Sequence, residues 1–147
     1  MRYSITRLHK FDAGHRVLGH EGKCRHPHGH EYHLQFTCTP VCNDLDDLGM
    51  VIDFSVIKDV VCSWVDEYLD HGFLVYKQDS ELLEALRKLE DSKIYVMDKN
   101  PTAENIAKLL LDKANQLLTH YPVLCEQVTV QETVNCFATA DIFRDEE

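Results

Sequence analysis

The chain is organised around Cys24-Arg25-His26-Pro27-His28-Gly29-His30-Glu31-Tyr32-His33. Four histidines and one cysteine occur within these ten residues. A soluble domain has little structural use for so many imidazoles in one place, whereas a metal site needs neutral nitrogen ligands that converge on one point. The stretch therefore favours zinc chemistry for this part of the chain.

Two predicted strands bring three histidines together. From His28 to about Thr39, apolar and polar residues alternate, which predicts a strand in which residues two apart project to the same face. His28 and His30 can therefore hold one metal ion between them. Residues 2–15 show the same period, and His15 ends that strand on its core face. If the two strands are neighbours, His15 completes a three-nitrogen site whose fourth tetrahedral position is left to water or substrate, as in a catalytic zinc site.

The remaining pattern predicts an α+β domain. One long helix follows the N-cap Asp53, a second follows Thr102, and two strands are predicted at 124–133 and 136–140. Residues 75–98 form an insertion with a helical middle and a short strand near its end. This order predicts a four-stranded antiparallel sheet of two hairpins with two long helices on one face. Its two free edges invite closure into a barrel by neighbouring subunits.

Composition narrows the function classes. The 147 residues predict a single domain over 1–147, and the net charge of −10 without a local basic patch argues against nucleic-acid or membrane-surface binding. The first residues alternate in polarity, unlike a signal peptide, and no apolar run is long enough to span a membrane, so a cytoplasmic protein is expected. The six cysteines form no CxxC pair, and we expect small buried side chains for Cys38, Cys62, Cys125 and Cys136.

Two further groups of ionisable residues have open roles from the sequence alone. Asp70 and His71 follow the first long helix, where a helix-end pair without chemistry is favoured because the helix dipole stabilises a histidine there. Glu132 ends the apolar face of its strand. It either reaches solvent at the sheet edge or meets the hydrogen-bond donors of a ligand.

Six motifs in sequence order resemble those of the 6-pyruvoyltetrahydropterin synthase and 6-carboxytetrahydropterin synthase family. They are Phe11-Asp12-Ala13-Gly14-His15, Cys24 with His28-Gly29-His30, Met50-Val51-Ile52-Asp53-Phe54, Leu69-Asp70-His71, Asn100-Pro101-Thr102-Ala103-Glu104-Asn105 and Gln131-Glu132-Thr133. The resemblance implies the tunnelling fold, in which two-hairpin subunits close into a barrel and usually a hexamer. It also implies 7,8-dihydroneopterin triphosphate as the small-molecule substrate.

The resemblance also implies a role for individual residues. It gives zinc to His15, His28 and His30, makes Cys24 the general base, and gives proton transfer to Asp70 with His71. It makes Glu132 the anchor of the pterin, with a further contact from Thr102, while Glu104 and Asn105 are interpreted as structural. It gives no role to four other histidines, which are His9, His20, His33 and His120. His26 departs from the family pattern and is left out of the metal set.

Three functions are compatible with these residues. We favour a zinc-dependent lyase that forms 6-carboxytetrahydropterin with loss of acetaldehyde and triphosphate, on the path to deazapurines and queuosine. Elimination of triphosphate to give 6-pyruvoyltetrahydropterin needs the same zinc, cysteine, histidine and glutamate. A non-catalytic zinc-stabilised pterin-binding protein is the alternative from another class. It requires Cys24 or His26 to close the metal tetrahedron as a fourth protein ligand.

Overall fold

A computed structural model describes residues 1–142, so residues 143–147 of the predicted single domain lie outside the described part. The strands are β1 Ile5–His15, β2 His28–Pro40, β3 Gly72–Tyr76, β4 Ile94–Met97, β5 Val123–Thr133 and β6 Cys136–Asp141. The α-helices are α1 Phe54–Val56, α2 Ser63–Tyr68, α3 Ser80–Arg87 and α4 Ala103–Leu117. A π-helical segment, Ile57–Cys62, joins α1 to α2 in one helical stretch, and a 3₁₀ turn occupies Lys23–Arg25.

The strands form one mixed sheet in the order β4-β3-β1-β2-β5-β6. The two predicted hairpins are present, because β1 with β2, β2 with β5, and β5 with β6 are antiparallel. The prediction of four strands is corrected to six, since β3 joins β1 and β4 joins β3, both in parallel. β4 is the short strand predicted near the end of the insertion. β3 lacks a clean alternation because both of its faces are covered, as is usual for parallel strands. The barrel remains a prediction.

The core lies between the sheet and the two long helical stretches, as predicted. Phe11, Tyr32 and Val130 of the sheet are buried against Ile57 of the first stretch and Ile106 of α4. The short helix α3 packs elsewhere. It forms a second cluster with Val75, whose neighbour Leu74 faces the main core, so α3 covers the opposite face of β3.

Two local predictions are also corrected. A register shift beside Cys38 lets Cys125, and not Leu124, share the core face with Val128. Cys136, predicted to be buried, is exposed on β6. Alternation along a strand predicts the face of the sheet on which each side chain lies only while the register is regular. Beyond a bulge, the side chains change faces.

Within residues 1–142, every helix is too short or too polar to cross a membrane.

The end of β1 is attached to the insertion by a buried ion pair. Arg16 donates two hydrogen bonds to Asp79, through Nε at 2.7 Å and Nη2 at 2.5 Å. Asp79 is buried, is the N-cap of α3 and also accepts from the Leu82 N–H. The pair therefore fixes the start of the loop 16–27, which carries Cys24.

Replacing Asp79 with alanine is expected to lower the free energy of unfolding by roughly 3–5 kcal/mol, because Arg16 is left without its buried partner. Hydrogen bonding from Arg16 lowers the pKa of the Asp79 carboxyl. The stabilisation is thus present above the unfolded-state pKa of about 4 and is lost as pH falls through the lower folded-state pKa. Urea denaturation at pH 7 and pH 3 measures both effects. Glu81→Ala, which removes a carboxylate that is 88% exposed near the same arginine, is the control. An equal loss from Glu81→Ala would contradict the assignment.

Candidate metal centre and active site

The register of β1 against β2 brings three imidazoles together. His15 is directly opposite His28, and Ala13 is opposite His30, so all three side chains project from one face at the ends of the two strands. The Nε2 atoms of His15 and His28 are 3.1 Å apart. One ligand atom from each of the three residues lies within 4.8 Å of the other two. The sequence prediction that these histidines converge is confirmed.

Backbone carbonyls fix the tautomer of two of these rings. Nδ1 of His15 is 2.6 Å from the Pro101 carbonyl oxygen, and Nδ1 of His28 is 2.6 Å from that of His26. A carbonyl only accepts, so each Nδ1 carries the proton and each Nε2 presents a lone pair. Two lone pairs at 3.1 Å repel each other unless a cation lies between them. Metal-ligating histidines have this same second hydrogen bond to a carbonyl or carboxylate.

The chemical state of the rings also suits a metal. Burial lowers the pKa of His15, although the Pro101 carbonyl and the Glu132 carboxylate act in the opposite direction. Burial likewise lowers the pKa of His30. Both rings are therefore neutral at pH 7, as ligands must be. Nε2 of His30 is buried and has no hydrogen-bond partner among residues 1–142. A zinc ion with Zn–N distances near 2.0–2.1 Å separates its nitrogens by about 3.3 Å, which is close to the 3.1 Å between Nε2 of His15 and Nε2 of His28.

Among the described residues, neither of the two side chains considered as a fourth metal ligand, Cys24 and His26, joins the three histidines. The cluster that could hold a metal contains His15, His28 and His30 but neither Cys24 nor His26. His26 contributes its backbone carbonyl to His28, which explains its place beside the centre without a role for its ring.

Glu132 faces the histidines from β5. Its Oε1 is 3.4 Å from Nε2 of His15 and 3.5 Å from Nε2 of His30. The Glu132 carboxylate is therefore directed at the histidine cluster, with 25% of its side chain exposed.

A cavity of about 220 Å³ adjoins the centre. Three of the predicted site residues, Cys24, Thr102 and Glu132, line it together with His15. The structure thus brings together the thiol, the carboxylate and one of the three histidines. The hydroxyl of Thr102 accepts from the Asn105 N–H as the N-cap of α4, as predicted, and faces the same cavity.

Several lining residues were not predicted to belong to the site. They are Val17, His20, Ala103, Glu104, Cys136, Phe137 and Ala138. Glu104 was interpreted as structural. His20 was expected to be exposed or packed, and it is exposed while it also lines the cavity. Their positions depend on where α4 and the loop meet β6, which no local pattern encodes.

Hydrogen bonds hold the loop that carries Cys24. The Val17 N–H donates to the Cys24 carbonyl at 2.9 Å. Asn100 donates to and accepts from the Leu18 backbone, and Asn105 donates to the Asn100 carbonyl. The segment before α4 therefore supports both His15 and the loop 16–27.

Asp70 and His71 form a pair next to β1. Asp70 accepts from the Asp12 N–H at 2.9 Å, and its other oxygen is 2.8 Å from Nδ1 of His71. Partial burial disfavours the charged form, but Asp12 and His71 outweigh it and hold the pKa of Asp70 below its usual value. His71 has a φ of 58° and an exposed ring, so the left-handed turn after the helix falls on this residue and not on Gly72. Strained, exposed residues of this kind are frequent at functional sites.

His71 lines a different cavity from Cys24. That cavity, of about 480 Å³, is lined by His71 and Gly72, by Ala13 and His30, and by Asp12, Gly14, Gly29 and Glu31. The last four alternate with the core-facing residues of β1 and β2, so most of the strand residues in this lining belong to the opposite face of the sheet. Within one copy, neither of the two cavities is lined by both Cys24 and His71.

The comparison with known families decides the membership of the chain. A family model described as 6-pyruvoyl tetrahydropterin synthase matches residues 4–142. The chain belongs to the 6-pyruvoyl tetrahydropterin synthase family. The resemblance stated from the six motifs is therefore confirmed, and with it the general class of a lyase that acts on a pterin.

Members of the family from several organisms are similar over most of the chain. The protein is 42% identical over 133 residues to the 6-carboxy-5,6,7,8-tetrahydropterin synthase of Rickettsia felis, which covers 90% of this chain and 95% of that protein. It is 34% identical over 118 residues to the protein of the same name from Haemophilus influenzae, covering 76% and 81%.

Solved structures share the family fold. An uncharacterized protein of Wolinella succinogenes matches with a TM-score of 0.83 at 25% identity, covering 96% of this chain and 98% of that one. The 6-pyruvoyl tetrahydropterin synthase of Caenorhabditis elegans matches with a TM-score of 0.70 at 22% identity over 97% of each chain. The second likeness concerns the fold alone.

Proposed function

We propose that this protein is a zinc-dependent 6-carboxytetrahydropterin synthase. It converts 7,8-dihydroneopterin triphosphate to 6-carboxytetrahydropterin with loss of acetaldehyde and triphosphate. The observation that carries the proposal is one cavity lined by Cys24, Glu132 and His15, the last of which belongs to a cluster of three imidazoles. The names of the relatives at about 40% identity support the carboxy product.

Each residue has a task in this proposal. His15, His28 and His30 hold zinc, which when bound acts as a Lewis acid toward the side-chain oxygens of the substrate. Cys24 accepts a carbon-bound proton from the substrate side chain as general base. Glu132 accepts two parallel hydrogen bonds from the aminopyrimidinone edge of the pterin, and Thr102 adds a hydroxyl contact.

Asp70 and His71 enter the reaction from a neighbouring copy. Because Cys24 and His71 line different cavities within one copy, we propose that they meet at one substrate only between copies. The Asp70 carboxylate orients the His71 ring and stabilises its protonated form. This arrangement requires an oligomer, and we propose the barrel-forming hexamer, in the cytoplasm.

Product analysis tests the reaction. The zinc-loaded protein is incubated with 7,8-dihydroneopterin triphosphate, and acetaldehyde is trapped and quantified beside triphosphate. We expect equal amounts of the two. Triphosphate without acetaldehyde would identify the 6-pyruvoyl reaction instead, and binding of substrate without either product would identify a binding protein.

Mixed oligomers test the contribution of a second copy. Cys24→Ala and His71→Ala are expected to be inactive separately but to regain up to about a quarter of wild-type activity when co-expressed, since some sites then combine an intact thiol with an intact imidazole from another copy. Steady-state assays of the purified mixture measure this. Co-expression of Cys24→Ala with the double variant is the control and stays inactive. No gain in the first mixture would contradict assembly between copies.

A further inference from the structure

One imidazole in the Cys24 cavity has no role so far. His20 lies in the loop 16–27 and lines the cavity beside Cys24, Thr102 and Glu132. His71, by contrast, lines a different cavity. Within one copy, His20 is therefore the histidine outside the metal cluster that shares a cavity with Cys24, among the residues described.

The ring of His20 is held in one orientation and one tautomer. Its Nδ1 accepts a hydrogen bond from the Gly22 N–H at 2.8 Å, and the backbone N–H of His20 donates to the Val17 carbonyl at 3.2 Å, which positions the residue in the loop. A ring nitrogen that accepts from a backbone amide carries no proton, so the proton of the neutral ring is on Nε2. His20 is therefore a fixed hydrogen-bond donor through Nε2.

Gly22 leaves the space for this ring. A Cβ on Gly22 would lie 2.9 Å from Cε1 and 3.2 Å from Nδ1 of His20. The φ of Gly22 is −89°, which any residue adopts, so the glycine is needed for space and not for backbone conformation. An alanine at position 22 would displace the His20 ring without straining the chain.

The cavity has few hydrogen-bond donors for a polyanion. Among the described residues, neither lysine nor arginine lines it, and its two carboxylates, Glu104 and Glu132, only accept. His15 has its Nδ1 proton engaged by Pro101. The Thr102 hydroxyl, assigned above to the pterin, and the weakly donating thiols of Cys24 and Cys136 are the other side-chain donors beside His20. The substrate nevertheless carries a triphosphate.

We propose that His20 binds the triphosphate of the substrate by donating from Nε2 to a phosphate oxygen. This inference rests on the proposed function. Glu132 and Thr102 hold the pterin end, and the histidine cluster faces the side-chain oxygens. The other side of the cavity is formed by the loop that carries His20, and in this proposal the triphosphate contacts that loop.

Binding of two ligands that differ only in the triphosphate tests the inference. In a zinc-loaded Cys24→Ala background, which removes the proposed base, calorimetry gives the Kd of 7,8-dihydroneopterin triphosphate and of 7,8-dihydroneopterin. We expect His20→Ala to raise the first Kd about 10- to 100-fold, as for the loss of one hydrogen bond to a charged group, and to leave the second within about twofold. His20→Gln restores most of the loss because its amide also donates.

Matched variants separate this role from a general disturbance. Gly22→Ala should raise the Kd of the triphosphate in the same sense as His20→Ala, while His120→Ala, an exposed histidine outside the cavity, should change neither Kd. Equal changes in both Kd values, or no change in either, would overturn the role of His20 while the proposed function stands. Failure of the parent protein to bind either ligand would overturn the proposed function, and this inference with it.

Discussion

Replacing Cys24 with alanine is expected to lower kcat by about 10²–10⁴-fold while the zinc content stays at the wild-type level. The thiol lines the cavity beside His15 and Glu132 but is not part of the cluster of potential ligands. Its removal therefore takes away a proton acceptor without taking away a metal ligand. Steady-state kinetics measure the first effect, and elemental analysis of the purified protein measures the second.

Cys42 provides the matched control for this variant. It is an exposed cysteine in the loop after β2 and does not line the Cys24 cavity. Cys42→Ala should keep both turnover and zinc. Undiminished turnover in Cys24→Ala would rule out Cys24 as the base, and a loss of zinc in that variant would instead indicate that the thiol is a ligand.

Replacing His28 with alanine is expected to weaken zinc binding more than 100-fold and to abolish turnover at ordinary zinc concentrations. Loss of an outer partner of a ligand typically costs about 10–100-fold in metal affinity, and the loss of a ligand itself should exceed this. His28 is a better choice than His15, whose ring is buried in the core, because its replacement disturbs folding less. Competition with a chromophoric chelator gives the zinc Kd.

His26→Ala is the control for the metal centre. Position 26 supports His28 through its backbone carbonyl, which alanine retains, so zinc affinity should stay within a few-fold of wild type. A loss as large as that of His28→Ala would mean that the His26 ring is a ligand. The tetrahedron would then be closed by protein, as the non-catalytic alternative requires.

The three-histidine cluster was predictable because it depends on local pattern and one pairing. Alternation along 28–39 gives the shared face of His28 and His30, and a hairpin between consecutive strands is the commonest arrangement, which brings in His15. The N-caps Asp53 and Thr102 were predictable for the same reason, since each is decided within a few residues.

The strand β3, the parallel pairing of β3 and β4, and the exposure of Cys136 were not predictable in this way, although the strand β4 itself was. Phe73, Leu74 and Val75 form an apolar run because α3 covers one face and the main core the other, and such a run resembles a buried segment of either type. The exposed position of Cys136 depends on the pairing of β6 at the edge of the sheet, beyond which no strand lies within the described chain.

The sequence by itself determined which residue types converge, namely three imidazoles from two adjacent strands with a cysteine in the loop between them. Only the tertiary structure decided which other side chains meet them. It directs Glu132 at the histidines and places His20 in the cavity of Cys24, and it puts His71 in a different cavity. The physical reason is that a periodic pattern fixes the face of a residue within its own strand. The neighbours of that face depend on contacts between distant parts of the chain, which each strand's own pattern does not encode.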